Sequence, residues 1–130
     1  MKWLCIIAVV AILTGMTGVS SVAFAAGALD GKTFTVDSGN KNETSSRTDD
    51  FIFQDGQFSS MLCNRFGYGA GDYETAKEND TIYFEAKTAS THGGTMHWQG
   101  IVKGPDIEGI SVTNENGTIS ESWFKGSLKQ

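Results

Sequence analysis

The chain has 130 residues, 39% of them hydrophobic and 19% charged, with 16 glycines, one proline and a formal net charge of −5. That length holds one domain around one modest core. Fifteen acidic against ten basic residues argue against nucleic acid or an anionic membrane as a partner, because such a surface is repelled by phosphate-rich polymers and headgroups.

The chain opens on a targeting segment. Lys2 supplies a short positive start, an apolar run extends from Trp3 to about Leu13, and Ala23-Phe24-Ala25 is a small-x-small cleavage site. This pattern predicts a signal peptide over residues 1–25, a single mature domain over 26–130, and a periplasmic or secreted protein. The apolar run is too short for a retained transmembrane helix, so no stable membrane insertion is expected after cleavage. Cys5 falls inside the leader, which leaves Cys63 alone in the mature chain and excludes an internal disulfide. Cys63 is then a buried inert thiol, a ligand, or half of an intermolecular bridge.

The mature chain reads as strands joined by short turns. Gly27 to Gly31 is expected to be a flexible lead-in, and Lys32 to Val36 a first strand. Asp37 to Asp49 has no apolar side chain and predicts a long polar loop. Phe51-Ile52-Phe53 opens a second strand, Asp55-Gly56 turns it, and Gln57 to Leu62 returns. Arg65 to Gly71, with glycines at 67, 69 and 71, suggests a bent or bulged segment at the rim. Asp72 to Lys77 is a strand, and Glu78-Asn79-Asp80 a turn. Thr81 to Thr88 alternates, with Ile82, Phe84 and Ala86 on one face. Ala89 to Gly94 is a loop. Strands then cover Thr95 to Val102, Ile107 to Val112 and Ile119 to Leu128, with turns at Gly104-Pro105-Asp106 and Asn114 to Gly117. No segment shows a helical period.

One unit recurs in the second half: an apolar residue, a spacer, then glycine. It appears as Trp98-Gln99-Gly100, Val102-Lys103-Gly104, Ile107-Glu108-Gly109 and Phe124-Lys125-Gly126. A spacing of two places both residues on one strand face, and glycine there relieves crowding where a sheet curls tightly. The prediction is an all-β fold: a small antiparallel up-and-down β-barrel of about eight strands. Met96, Trp98, Gly100, Val102, Phe124, Gly126 and Leu128 should face inward, and Trp123 outward.

Two resemblances follow from the residues. Leu29-Asp30-Gly31-Lys32-Thr33-Phe34 resembles the opening strand of calycin-like (lipocalin-like) barrels, with phenylalanine in place of the usual tryptophan. Most of the mature chain is similar to small secreted bacterial proteins that carry a Cys…Gly-Tyr-Gly segment, a Met-His-Trp-x-Gly strand and a closing Trp-Phe-x-Gly-x-Leu. Phe51 to Thr88 also resembles the META domain of secreted bacterial proteins, in its apolar strand, Asp-Gly, Cys63-Asn64, Tyr73 and Ile82-Tyr83-Phe84. It departs from that family at Leu62, in the longer spacing from Cys63 to Tyr73, and in having no second cysteine. Both resemblances imply an exported β domain and neither implies catalysis.

Candidate chemistry is sparse. Cys63, His92, Met96 and His97 have the ligand types for copper, zinc or haem iron. Met96 and His97 are adjacent, however, and must point to opposite faces of a strand. No Gly-x-Ser-x-Gly elbow accompanies Ser59 and Ser60. Asp72 with Glu74, and Asp106 with Glu108, share strand faces but read as solvated charges. The run Gly67 to Gly71 lacks the following helix that a phosphate loop needs. The sequence therefore predicts a non-enzymatic protein without a cofactor. It is expected to bind a small apolar ligand at an open barrel end, through Cys63, Phe66, Tyr68, Phe84 and Trp98. The alternatives are a solid-core module that binds another protein through Trp123, Tyr83 or the glycine-rich segment, and a Cys63-centred metal, haem or redox protein.

Overall fold

The computed structural model describes residues 24–25 and 27–129. Among the described residues, nine strands run β1 (Phe24–Ala25), β2 (Thr33–Asn40), β3 (Arg47–Gln54), β4 (Gln57–Ser60), β5 (Gly71–Glu78), β6 (Thr81–Ala89), β7 (Thr95–Lys103), β8 (Asp106–Glu115) and β9 (Thr118–Leu128). One helical turn, α1 (Met61–Asn64), separates β4 from β5. Each strand from β2 to β9 pairs antiparallel with the next, and β9 returns to β2, which closes an eight-stranded up-and-down barrel. The architecture is compatible with a calycin-like fold.

Closure at the β4–β5 seam is thin. Only Gln57–Asp72 and Phe58–Gly71 pair there, because β4 stops at Ser60. Further along the same strand, Phe24 and Ala25 pair with Ala76 and Thr75. The expected signal peptide otherwise lies outside the described residues.

The turn chemistry is that of tight hairpins. Asp55-Gly56 and Asn116-Gly117 have φ of 54° and 76°, and of 54° and 86°. Two consecutive left-handed residues match the twist of the flanking strands, and Asn, Asp and Gly tolerate that conformation best.

Side chains alternate so that inward residues stack in levels along the barrel axis, three of which span β6 to β9. Val36, Gly126, Ile107, Val102 and Ile82 lie side by side in one level; Phe124, Gly109, Gly100 and Phe84 in the next; Ser122, Ser111, Trp98 and Ala86 above them. The paired glycines at 100 and 109 leave room for the rings of Phe84 and Phe124 on either side. Gly100, Gly109 and Gly126 of the apolar-glycine repeat thus sit at the close approaches its spacing predicts, whereas Gly104 lies in the turn before β8 with open space around it.

The interior is filled with aromatic rings. Phe53 packs against Tyr73 at 4.9 Å between centroids, Phe58 at 5.2 Å and Phe84 at 5.3 Å. Phe51 meets Phe124 at 4.9 Å and Trp98 at 5.3 Å. Most of these contacts are edge-to-face, the arrangement that ring quadrupoles favour. Burial of each ring contributes about 1.5–3 kcal/mol.

Three expectations need correction. Gly27 to Gly31 is a tied-down turn: Leu29 is fully buried, and its N–H donates to the Tyr73 hydroxyl at 2.8 Å. That hydroxyl donates in turn to Asp30 (2.8 Å), whose carboxylate also accepts from the Gly56 N–H. The loop expected over Asp37 to Asp49 shrinks to residues 41–46, because β2 runs on to Asn40 and β3 begins at Arg47; pairing with β9 from Asp37–Lys125 to Asn40–Ser122 fixes backbone that has no apolar pattern of its own. The strand from Gln57 ends at Ser60 and turns helical, with the Ser60 hydroxyl accepting from Cys63 N–H at 3.1 Å as the N-cap.

The Tyr73 hydroxyl satisfies a buried donor, so Tyr73→Phe is expected to cost about 2 kcal/mol in urea unfolding. A loss below 0.5 kcal/mol would show that the plug is not held there.

Candidate functional site

The strand ends carry different loops at the two ends of the barrel. One end has the short turns at 55–56, 79–80 and 104–105, closed by Leu29. The other end is a wide mouth, formed by the 41–46 loop, α1, the 65–70 segment, the 90–94 loop and the turn at 116–117. At this mouth the packed interior gives way to a hollow of about 340 Å³. Its floor is Phe51, Met96, Trp98 and Phe124, its walls include Cys63, Phe66, Asp49 and Ser111, and Arg47 and Glu43 stand at its edge.

Three of the five residues singled out from sequence meet in this hollow: Cys63, Phe66 and Trp98. Phe66 is 61% exposed, an unusual position for a phenyl ring. Trp98 is buried, with its indole N–H donating to Thr88 Oγ1 at 3.1 Å, which fixes the ring plane. Tyr68 and Phe84 lie elsewhere. Tyr68 is buried at the rim, where its hydroxyl donates to Glu115 at 2.8 Å and its backbone bridges to Ser90. Phe84 lies in the middle of the core, 5.3 Å from Phe53.

Sequence reasoning missed Asp49, a buried carboxylate on the wall. It accepts from the Ser60 hydroxyl and from the Leu62 N–H (2.8 Å), and so anchors α1 to β3. The available signal was Ser60 as a helix cap; one helical turn is too short to display a period.

Burial pushes the Cys63 thiol above its ordinary value; the Ser60 hydrogen bond opposes this, and the Asp49 charge adds to it. Cys63 is therefore a protonated thiol at neutral pH, not a thiolate nucleophile. The other candidate ligands are dispersed. Met96 faces inward. His97 is on the outer wall, where burial and then Lys87 lower its basicity. His92 is exposed, its N–H donating to Ser90 Oγ at 2.9 Å. Among the described residues no group of three His, Cys, Asp or Glu side chains could hold a metal ion. Nor, among them, is any helix long and apolar enough to cross a membrane.

Tyr68 and Tyr73 are both pushed up to about 12, first by burial and then by the carboxylates they donate to, Glu115 and Asp30. In the unfolded chain both ionise near pH 10. Their contribution to stability is therefore whole below pH 10 and is lost as pH rises toward 12. Unfolding midpoints measured from pH 8 to 12 should be flat and then fall; a rise above pH 10 would contradict the assignment.

Comparison with protein-family models, with curated proteins and with solved structures finds no match to this chain. The barrel and its mouth carry the functional reading.

Proposed function

We propose that this protein is an exported, non-enzymatic, calycin-like barrel that holds one small, largely apolar ligand in the hollow at its mouth. The observation that carries this reading is the packing contrast. Aromatic rings fill the barrel below the Trp98 level, and above it the mouth opens into a hollow where Trp98, Met96 and exposed Phe66 offer apolar surface, whereas the hollow at the opposite end is ringed by Lys32, Lys77, Lys103 and Asp80. A hollow of about 340 Å³ falls at the lower end of the range of small-molecule sites. Arg47 and Glu43 at the edge suit a ligand with one polar end. The leader-like residues 1–25 support export. The Leu29–Phe34 segment, seated as a plug at the closed end, supports the calycin-like reading over the META one. The protonated state of Cys63 favours a wall residue over a redox centre.

The test is a titration with N-phenyl-1-naphthylamine, a neutral apolar fluorophore. Saturable binding that quenches tryptophan emission is expected, with affinity falling about tenfold in Phe66→Ser, equivalent to about 1.4 kcal/mol. Bound probe should also slow alkylation of Cys63 by iodoacetamide. Absence of saturation up to the probe's solubility would overturn the proposal.

The filled interior also supports a second reading, a solid-core module that binds a partner through its outer surface. Trp123 and Tyr83, the residues that reading names, line one groove on the barrel wall.

A further inference from the structure

The outer wall carries a concavity that the mouth does not explain. Two rows of outward residues cross strands β5 to β9. In strand register one row is Glu74, Glu85, Gln99, Ile110 and Trp123, and the next is Tyr83, Ile101, Glu108 and Lys125. Between the rows lies the backbone of Gly100 and Gly109, which have no side chain on either face. The wall is thinnest there, and a groove of about 520 Å³ runs over it.

The floor of this groove is apolar: Tyr83, Ile101, Ile110 and Trp123, with the rings of Phe84 and Phe124 beneath the glycines. Its charge is one-sided. Glu108 faces Lys125 across β8 and β9. Glu74 faces Glu85 directly across β5 and β6, and like charges in that position repel. Burial and then the Glu74 charge hold the Glu85 carboxyl above its ordinary value. Beside Glu85 in the same row, Gln99 Oε1 is fully buried with no hydrogen-bond partner among the described residues. A buried acceptor left unmatched is costly. One end of the groove is therefore three acceptors in register, and the rest is aromatic and aliphatic surface.

We propose that this groove is a second binding site, and that it takes a small hydrophobic organic cation, an amine on an aromatic or alkyl body. The ammonium sits at the Glu74–Glu85–Gln99 end, donating to the carboxylates, and to Gln99 Oε1 once that side chain turns outward into the groove. The body lies over the Gly100–Gly109 backbone between Ile101 and Ile110. Tyr83 and Trp123 present ring faces that attract cationic groups further. This site lies on the outer wall and the mouth at the barrel end, with Cys63, Phe66 and Trp98 lining the mouth alone and Trp123 and Phe124 lining both.

Three probes of one shape and different charge test it: 1-naphthylmethylamine, 1-naphthalenemethanol and 1-naphthoate, titrated by calorimetry into the protein at low ionic strength. The amine is expected to bind at least about tenfold more tightly than the alcohol, with the naphthoate weaker still. The double variant Glu74→Gln, Glu85→Gln should remove the preference for the amine while leaving the unfolding midpoint unchanged or raised, since a repulsive pair is relieved. Phe66→Ser should leave amine binding unaltered. Equal affinity for all three probes, no binding of the amine at millimolar concentration, or loss of amine binding in Phe66→Ser would each overturn the proposal. Failure of N-phenyl-1-naphthylamine at the mouth would not affect these outcomes.

Discussion

Gly109→Ala is expected to destabilise the barrel by about 3 kcal/mol, the upper part of the range for overpacking a dense core. A Cβ at this position would stand 2.6 Å from both Gly100 Cα and Phe124 Cζ, and would also press on the Gln99 carbonyl oxygen. Two of these three atoms belong to the β7 backbone, which nine paired residues hold against β8. Only the Phe124 ring could move, and its neighbours Phe51 and Phe84 leave it little room. Gly69→Ala is the control. Nothing lies within 4 Å of a Cβ there, and its backbone is not left-handed, so its cost should stay within about 0.5 kcal/mol. Chemical unfolding of both variants checks the difference. Equal costs would mean that the glycines of the repeat are not close-approach positions.

Phe53→Ala is expected to cost about 4 kcal/mol. Phe53 is fully buried and meets four rings: Phe34, Phe58, Tyr73 and Phe84. Its removal leaves a void that closed strands cannot collapse into, because the barrel has hydrogen bonds around its whole circumference. On a marginal scale of about 5–15 kcal/mol for a domain, this one change takes a large share. Thermal or urea unfolding measures it. A cost near 1 kcal/mol would indicate a loosely filled interior and would place ligand space deep in the barrel instead of at its mouth.

The barrel was legible in the sequence where apolar side chains alternate. Ile82, Phe84 and Ala86, the Met96-to-Val102 set and the Phe124-to-Leu128 set all face inward as their spacing predicts, and Trp123 faces outward. The failures share a cause. Asp37 to Asn40 is held by partners on β9 and β3, and a polar strand fixed by its neighbours' backbone carries no periodic signature. Met61 to Asn64 is one turn long. Leu29 stands between two glycines and is ordered by Tyr73, 44 residues away.

The candidate site was legible in part. Cys63, Phe66 and Trp98 share the mouth, but Tyr68 was drawn into a rim hydrogen bond and Phe84 into the core. Asp49 was invisible as a wall residue because its partners, Ser60 and Leu62, lie on a different element. The outer groove depends on the register between β5 and β9. Sequence placed Trp123 on the outside and offered it, with Tyr83, as an interaction surface, but could not put the two in one concavity.

The most direct test is chemical-shift mapping of the protein saturated with N-phenyl-1-naphthylamine. The account predicts ring-current shifts at the Met96 methyl group and the Trp98 indole N–H, with Tyr83 and Ile101 on the outer wall unmoved. Saturation with no shift at Met96 and Trp98, or with shifts confined to the outer wall, would contradict it.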